Sequence, residues 1–232
     1  MFDATKHRSA PQALRPSEYT AALIQALRLD APRVKGASAL EIGSGSGVVL
    51  AALGAMGAAS LCGVDIEDDA VVAGELLLGD LGHGERARLH CGDMWQPVVG
   101  RRFDLIVANL PHFPMEHREV GGRLRTWSSG GPDGRELLDP FLEGLPGHFV
   151  PGARAILTHN AFVDIARSRD IVTRHGLGLR IVMTVLVHIA AEKLALMTPS
   201  VLCAQEGRSV FRYGPYAFAE MHIVEIAAGN GA

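Results

Sequence analysis

Short apolar runs alternate with amphipathic stretches along nearly the whole chain, and most runs close on Gly, Pro or Asp. Tyr19, Leu23, Ala26 and Leu27 recur at helical spacing behind Pro16-Ser17-Glu18. This predicts a helix with Ser17 as N-cap and Glu18 at its positive end, stopped ahead of Pro32. Leu40-Glu41-Ile42 reads as a buried strand, and Val48-Val49-Leu50-Ala51-Ala52-Leu53 as a helix running to about Gly57. Residues 60–65, 87–91, 103–108 and 153–158 read as further strands, and 103–108 is near-continuously apolar, as a parallel strand covered on both faces is. Helices are expected over residues 69–78, 135–145 and 162–174, the last ended by His175-Gly176. Strands at residues 179–189 and 217–226 form a near-hairpin across a long connection, 192–214. Its segment Phe211-Arg212-Tyr213-Gly214-Pro215-Tyr216 reads as cover for a sheet edge, with a substrate pocket as the alternative.

Strand and helix alternate from the first glycine turn onward, which implies an α/β, doubly wound, mostly parallel sheet with helices on both faces. The length of 232 residues suits one such core. Residues 1–35 are expected to form an N-terminal arm and helix, a lid, and residues 36–232 the ligand-binding domain. The net charge of −3 supplies no basic field along which a phosphate backbone could track, so nucleic acid is disfavoured. Cys62, Cys91 and Cys203 lack metal-ligand spacing and are expected as free thiols, the first two buried. Residues 1–8 contain no apolar h-region, and residues 181–191 are too short to span a bilayer. No membrane role and a cytoplasmic location are expected. A homodimer is compatible with the chain.

The chemistry concentrates in three places. Gly43-Ser44-Gly45-Ser46-Gly47 stands between the first strand and its helix, where absent Cβ atoms let a ligand lie on main-chain amides. The spacing G-x-G-x-G, with Val48 in place of the third glycine of a dinucleotide fingerprint, argues against a pyrophosphate. So does Glu41, which at the mouth of the turn suits a ligand bearing an ammonium or sulfonium charge. Asp65 closes the second strand about 20 residues past the turn, where an acid bonds a ribose hydroxyl; the alternative is a helix cap. Asp93, with Met94 beside it, follows the third strand and can take an adenine amino group, or else bond its own backbone as a turn aspartate. The fourth strand runs into Asn109-Leu110-Pro111-His112-Phe113.

Glu41-x-Gly43-x-Gly45-x-Gly47 resembles the first motif of class I S-adenosylmethionine (AdoMet) methyltransferases. Within that superfamily, Asn109-Leu110-Pro111-His112 resembles the N-P-P-Y motif of amino-directed enzymes. Gly130-Gly131-Pro132-Asp133-Gly134 resembles the G-G-x-D-G segment of release-factor glutamine methyltransferases, and Arg15-Pro16-Ser17-Glu18-Tyr19-Thr20, less closely, their P-R-x-E-T stretch. The resemblance covers roughly residues 14–160. It implies a seven-stranded, Rossmann-like sheet with an antiparallel C-terminal strand, AdoMet as methyl donor and S-adenosylhomocysteine as product. It further implies a cofactor site of Glu41, Gly43, Ser44, Gly45, Gly47, Asp65, Ile66, Asp93, Met94 and Asn109. The acceptor site would comprise Asn109, Leu110, Pro111, His112 and Phe113.

Methyl transfer from a sulfonium is an in-line displacement governed by orientation of the acceptor lone pair. The Asn109 side-chain oxygen and the Leu110 carbonyl can hold the N–H groups of an amide or amine while Pro111 fixes the turn. No metal is needed, and His112 and His117 have no third ligand at recognisable spacing. Two positions depart from the N-P-P-Y pattern, Leu110 and His112. Leu110 also resembles the second position of the N-L-P-Y of adenine dimethyltransferases. His112 could stack on the acceptor or take its proton, or point away and leave packing to Phe113. The acceptor partner is accordingly a protein glutamine or a small amine-bearing metabolite. Adenine methylation, other AdoMet alkyl transfer and a non-catalytic AdoMet-binding subunit stand behind these.

Overall fold

The computed structural model describes residues 16–116 and 129–228. The arm at residues 1–15, including Arg15, lies outside the described residues, as do His117 and Ser128. The strands are β1 (Ser38–Ile42), β2 (Ser60–Asp65), β3 (Ala87–Cys91), β4 (Phe103–Ala108), β5 (Phe149–Asn160), β6 (Leu177–Ile189), β7 (Val210–Tyr213) and β8 (Tyr216–Ala228). They follow the spatial order β3-β2-β1-β4-β5-β8-β6. β1 to β5 pair in parallel, and β8 runs antiparallel between β5 and β6. The doubly wound, mostly parallel sheet with a reversed C-terminal strand is therefore present. An eighth strand, β7, goes beyond the expected seven. It pairs with β8 at residues 216–219, past the last β5 partner at Met221, and so continues the line of β5.

Period-2 burial sorts the strands onto two apolar layers. Ala39, Leu61, Leu105 and Ile223 pack with α1 (Glu18–Leu29), α2 (Val48–Ala55) and α3 (Asp68–Asp80) on one face. Leu40, Ile42, Ile106 and Leu157 pack with α4 (Leu138–His148) and α5 (Ile165–Arg174) on the other. Leu23 and Leu27 are fully buried, so α1 is fastened to the sheet rather than resting on it. The long connection is ordered as α6 (Ala191–Ala195), α7 (Pro199–Gln205) and β7. Tyr213 and Tyr216 are exposed at the β7–β8 turn and Phe211 pairs with Phe218 across it, in keeping with an edge role. Cys62 is buried, but Cys91 is exposed because β3 is an edge strand. Among the described residues no helix is long and apolar enough to cross a membrane.

α4 starts three residues later than its apolar spacing suggests. Asp133 Oδ1 accepts the Arg135 N–H (3.1 Å), and the Glu136 N–H returns to the Gly130 carbonyl (2.9 Å), holding residues 133–136 in a turn. Asp133 is thus a turn residue and not the N-cap of α4. Pro140 then falls in the first helical turn, where a missing N–H costs nothing. The chain order reverses between β1 and β4, which opens a crevice at the carboxyl ends of these strands.

Candidate active site

A cavity of about 530 Å³ occupies that crevice. Gly43 and Gly45 form its wall at φ +71° and +50°, in the left-handed region that side chains rarely adopt. The turn is stitched to β2 by Gly43 and Ser44 N–H groups on the Val64 carbonyl (2.8 and 3.1 Å). Three residues of the expected cofactor set stand behind the wall instead. A Cβ on Gly47 would lie 2.9 Å from Gly74 Cα, so this glycine lets α2 close on α3. Ser44 is buried, and its Oγ has no hydrogen-bond partner among the described residues.

Glu41 is the third, and its expected position at the mouth needs correcting. It is 2% exposed and belongs to β1's face toward α2, because alternation sends Leu40 and Ile42 to the opposite layer. Burial, reinforced by the Asp65 charge, pushes its carboxyl well above the usual range, against a bond from the Leu50 N–H. Its Oε2 has no partner among the described residues. A carboxyl buried behind the turn presents no charge to a cation at the mouth.

The rest of the expected cofactor set faces the cavity. Asp65 Oδ2 accepts the Gly45 N–H at 2.7 Å and Oδ1 the Glu67 N–H at 3.0 Å, so the carboxylate braces the glycine turn from the ligand side. Burial raises its pKa, and these N–H bonds partly restore it. Ile66 and Met94 add apolar surface, and Asp93 is exposed at the rim. Met94 holds φ +47°, uncommon for a residue with a side chain and a sign of local constraint. Bare main chain, a carboxylate and two flexible apolar side chains in sequence fit a ligand with a zwitterionic tail, a ribose and a flat base.

Past β4 the wall changes. Asn109 Oδ1 accepts from Thr158 Oγ1 (2.8 Å), and Nδ2 donates to Thr20 Oγ1 (3.5 Å), which fixes the amide plane. Leu110, Pro111, His112 and Phe113 all line the cavity. His112 is 4% exposed with both ring nitrogens engaged. The Asn160 backbone N–H donates to Nε2 (2.8 Å), so the ring proton sits on Nδ1 and is given to the Leu110 carbonyl (2.6 Å). Burial drives its pKa down to about 4. A neutral imidazole with no vacant nitrogen cannot take a proton from an acceptor, which removes that expected option. Phe113 packs edge-on to Phe162 (5.5 Å) beneath the Lys193 ammonium (4.6 Å from its centroid).

The glycine segment downstream is the clamp on this loop. Gly130 N–H bonds the Phe113 carbonyl and Met115 N–H the Gly131 carbonyl, each at 2.9 Å. A Cβ on Gly130 would lie 2.5 Å from His112 Cα, and one on Gly134, at φ +77°, 2.7 Å from the His112 oxygen. Behind the loop runs a string of buried bonds absent from the sequence reading. Arg135 Nη1 donates to Ser168 Oγ (2.7 Å), Ser168 to His159 Nε2 (2.9 Å), and His159 Nδ1 to the Asn160 carbonyl (3.0 Å). His159 is likewise held neutral by burial, near pKa 3. Asn160, which no motif marked, and Tyr19, which the sequence offers only as an apolar helix position within the P-R-x-E-T-like stretch, are further wall residues; the Tyr19 hydroxyl donates to Asn160 Oδ1 (2.8 Å). Among the described residues no group of three or more His, Cys, Asp or Glu could hold a metal ion.

Residues 39–127 match a family model described as a methyltransferase domain. A Methanocaldococcus jannaschii protein described as an N5-glutamine methyltransferase is 31% identical over 65% of this chain and 74% of its own length. The release factor glutamine methyltransferase of Prochlorococcus marinus is 29% identical over 72% of this chain and 67% of its own. A solved Pyrococcus horikoshii structure, described as an RNA methyltransferase, matches with TM-score 0.63 over 96% of this chain and 90% of that one. At 16% identity this last is a likeness of fold.

Proposed function

The chain belongs to the class I AdoMet-dependent methyltransferases, in the group of the protein-glutamine enzymes, and we propose that it methylates an amide nitrogen, that of a protein glutamine side chain. AdoMet, when bound, supplies an electrophilic methyl carbon. In this reading the Gly43 and Gly45 main chain receives its amino-acid end, Asp65 takes a ribose hydroxyl, and Asp93 with Ile66 and Met94 receives the base. Glu41, Ser44 and Gly47 shape the turn from behind. Residues 36–232 then form the cofactor-binding domain, and residues 1–35 its cover, with α1 the anchored part.

The observation that carries the reading is the immobilised pair of acceptors beside the glycine turn. Asn109 Oδ1 keeps a lone pair after accepting from Thr158, and the Leu110 carbonyl keeps one after accepting from His112. Two such acceptors hold the two N–H groups of a primary amide and turn its nitrogen toward the methyl carbon. The proton shed by the methylated nitrogen passes to water at the mouth, where Glu18 and Glu192 are exposed. A protonated amine would need a base before it could react, and His112, with no vacant nitrogen, is not one. The glutamine activity carried in the names of the relatives supports the amide over the amine.

Labelled AdoMet incubated with the purified chain and whole-cell extract should place label in protein, recovered as N5-methylglutamine on hydrolysis under conditions that preserve the amide. Label confined to nucleic acid or to small molecules would overturn the glutamine reading.

A further inference from the structure

The N-P-P-Y pattern would put an aromatic ring at position 112, yet the residue there is a histidine whose two nitrogens hold the loop together. Phe113 is occupied as well, edge-on to Phe162 and beneath Lys193. Resting on the amide reading above, we propose that Tyr19, from α1, supplies the flat face against which a planar acceptor group is positioned.

Tyr19 lines the same cavity as Asn109 and meets the His112 ring edge-to-face, with centroids 6.3 Å apart and planes at 78°. Its ring is fixed at both ends. On the helix side its neighbour Thr20 is buried and accepts from Asn109 Nδ2 (3.5 Å) and from the Ser17 N–H (3.3 Å). At the far end the hydroxyl donates to Asn160 Oδ1, and Asn160 in turn holds His112 through its backbone N–H. Two consecutive residues of α1 thus touch the acceptor amide clamp and the residue that replaces the family's aromatic. An immobilised ring loses little entropy on ligand binding and offers its face to a flat, neutral partner. The hydroxyl, raised in pKa by burial and committed to Asn160, stays protonated, so the role is positioning and not proton transfer.

The probe is an S-adenosylhomocysteine analogue in which nitrogen replaces sulfur and carries a short chain ending in a primary amide. Calorimetry compares it with S-adenosylhomocysteine on wild type, Tyr19→Phe and Tyr19→Leu. The amide tail should tighten wild-type binding, and Tyr19→Leu should erase about 10-fold of that gain. Tyr19→Phe, which keeps the ring, should retain the gain within about 3-fold. S-adenosylhomocysteine itself should bind all three proteins alike, as a role in mere folding would not allow. An equal gain in Tyr19→Leu and wild type overturns the Tyr19 assignment while leaving the amide reading standing. A tail that adds nothing to wild-type binding overturns the amide reading itself. Should Tyr19→Leu not fold, loss of the gain in Tyr19→Phe would also overturn the assignment, because the ring would then be insufficient.

Discussion

Around Gly43 and Gly45 the cavity wall is main chain, bent by positive φ angles and braced by one carboxylate. Around Asn109 it is side chain, drawn from positions 19, 109, 112 and 160, backed by Thr20 and Thr158 and cross-linked by hydrogen bonds. The first construction is mostly a local turn, and in the proposed reading it receives what every turnover has in common, the methyl donor. The second needs distant residues to agree on one arrangement, and in the same reading it faces the acceptor, the molecule that must be told apart from others. A local backbone device suits an invariant ligand, and a side-chain mosaic suits a specific one.

Asn109→Ala strikes at the border between the halves. It should lower turnover by about 10³-fold, as loss of a fixed hydrogen-bonding group does in other enzymes, while AdoMet affinity stays close to wild type. Parallel loss of binding and turnover, measured by calorimetry and label transfer, would erase the distinction. Gly130→Ala tests the side-chain half through its clamp. A Cβ that cannot fit beside His112 should cost about 3 kcal/mol in denaturant unfolding. The damage at the folded site should fall on acceptor use more than on AdoMet binding. Asp65→Ala is the mirror experiment, expected to weaken AdoMet binding by about 2 kcal/mol and to leave the acceptor KM nearly unchanged.

The smallest effect is a pH dependence. Buried His112 and His159 have folded pKa values near 4 and 3, below the ordinary 6.5, so the unfolded chain binds more protons as pH falls below 6.5. Their neutral forms therefore stabilise the fold above 6.5, and that stability drains away as pH drops. Glu41, with its raised pKa, has the opposite sign and offsets part of this loss. Between pH 6 and pH 5 the net loss should be roughly 1 kcal/mol, read from urea midpoints. A gain over that interval would mean that the histidines are not buried neutral.

The same contrast explains what the sequence disclosed. Strands β2 and β4 follow their apolar runs residue for residue, since parallel strands covered on both faces leave a continuous signal, whereas β3, an edge strand, shows only alternate burial. That Gly43, Gly45, Asp65, Asp93 and Asn109 share one crevice was legible because each closes or follows a strand run. Glu41 was misplaced because motif spacing says nothing about which face of β1 its side chain takes. Tyr19 and Asn160 are 141 positions apart, and no local pattern announces their bond. The Gly130 segment showed itself as a motif, but its purpose, close approach to His112, emerges only once β4 and α4 are side by side.

The buried string from Arg135 to Leu110 has a direction. Every donor along it points toward the Leu110 carbonyl, and each backbone partner is incapable of reversing its role. Each imidazole is thereby held in one tautomer by its own backbone partners, and the Asn160 main chain links the two rings. An imidazole nitrogen resonance recorded at His112 should therefore move when Ser168, remote from any ligand, is replaced.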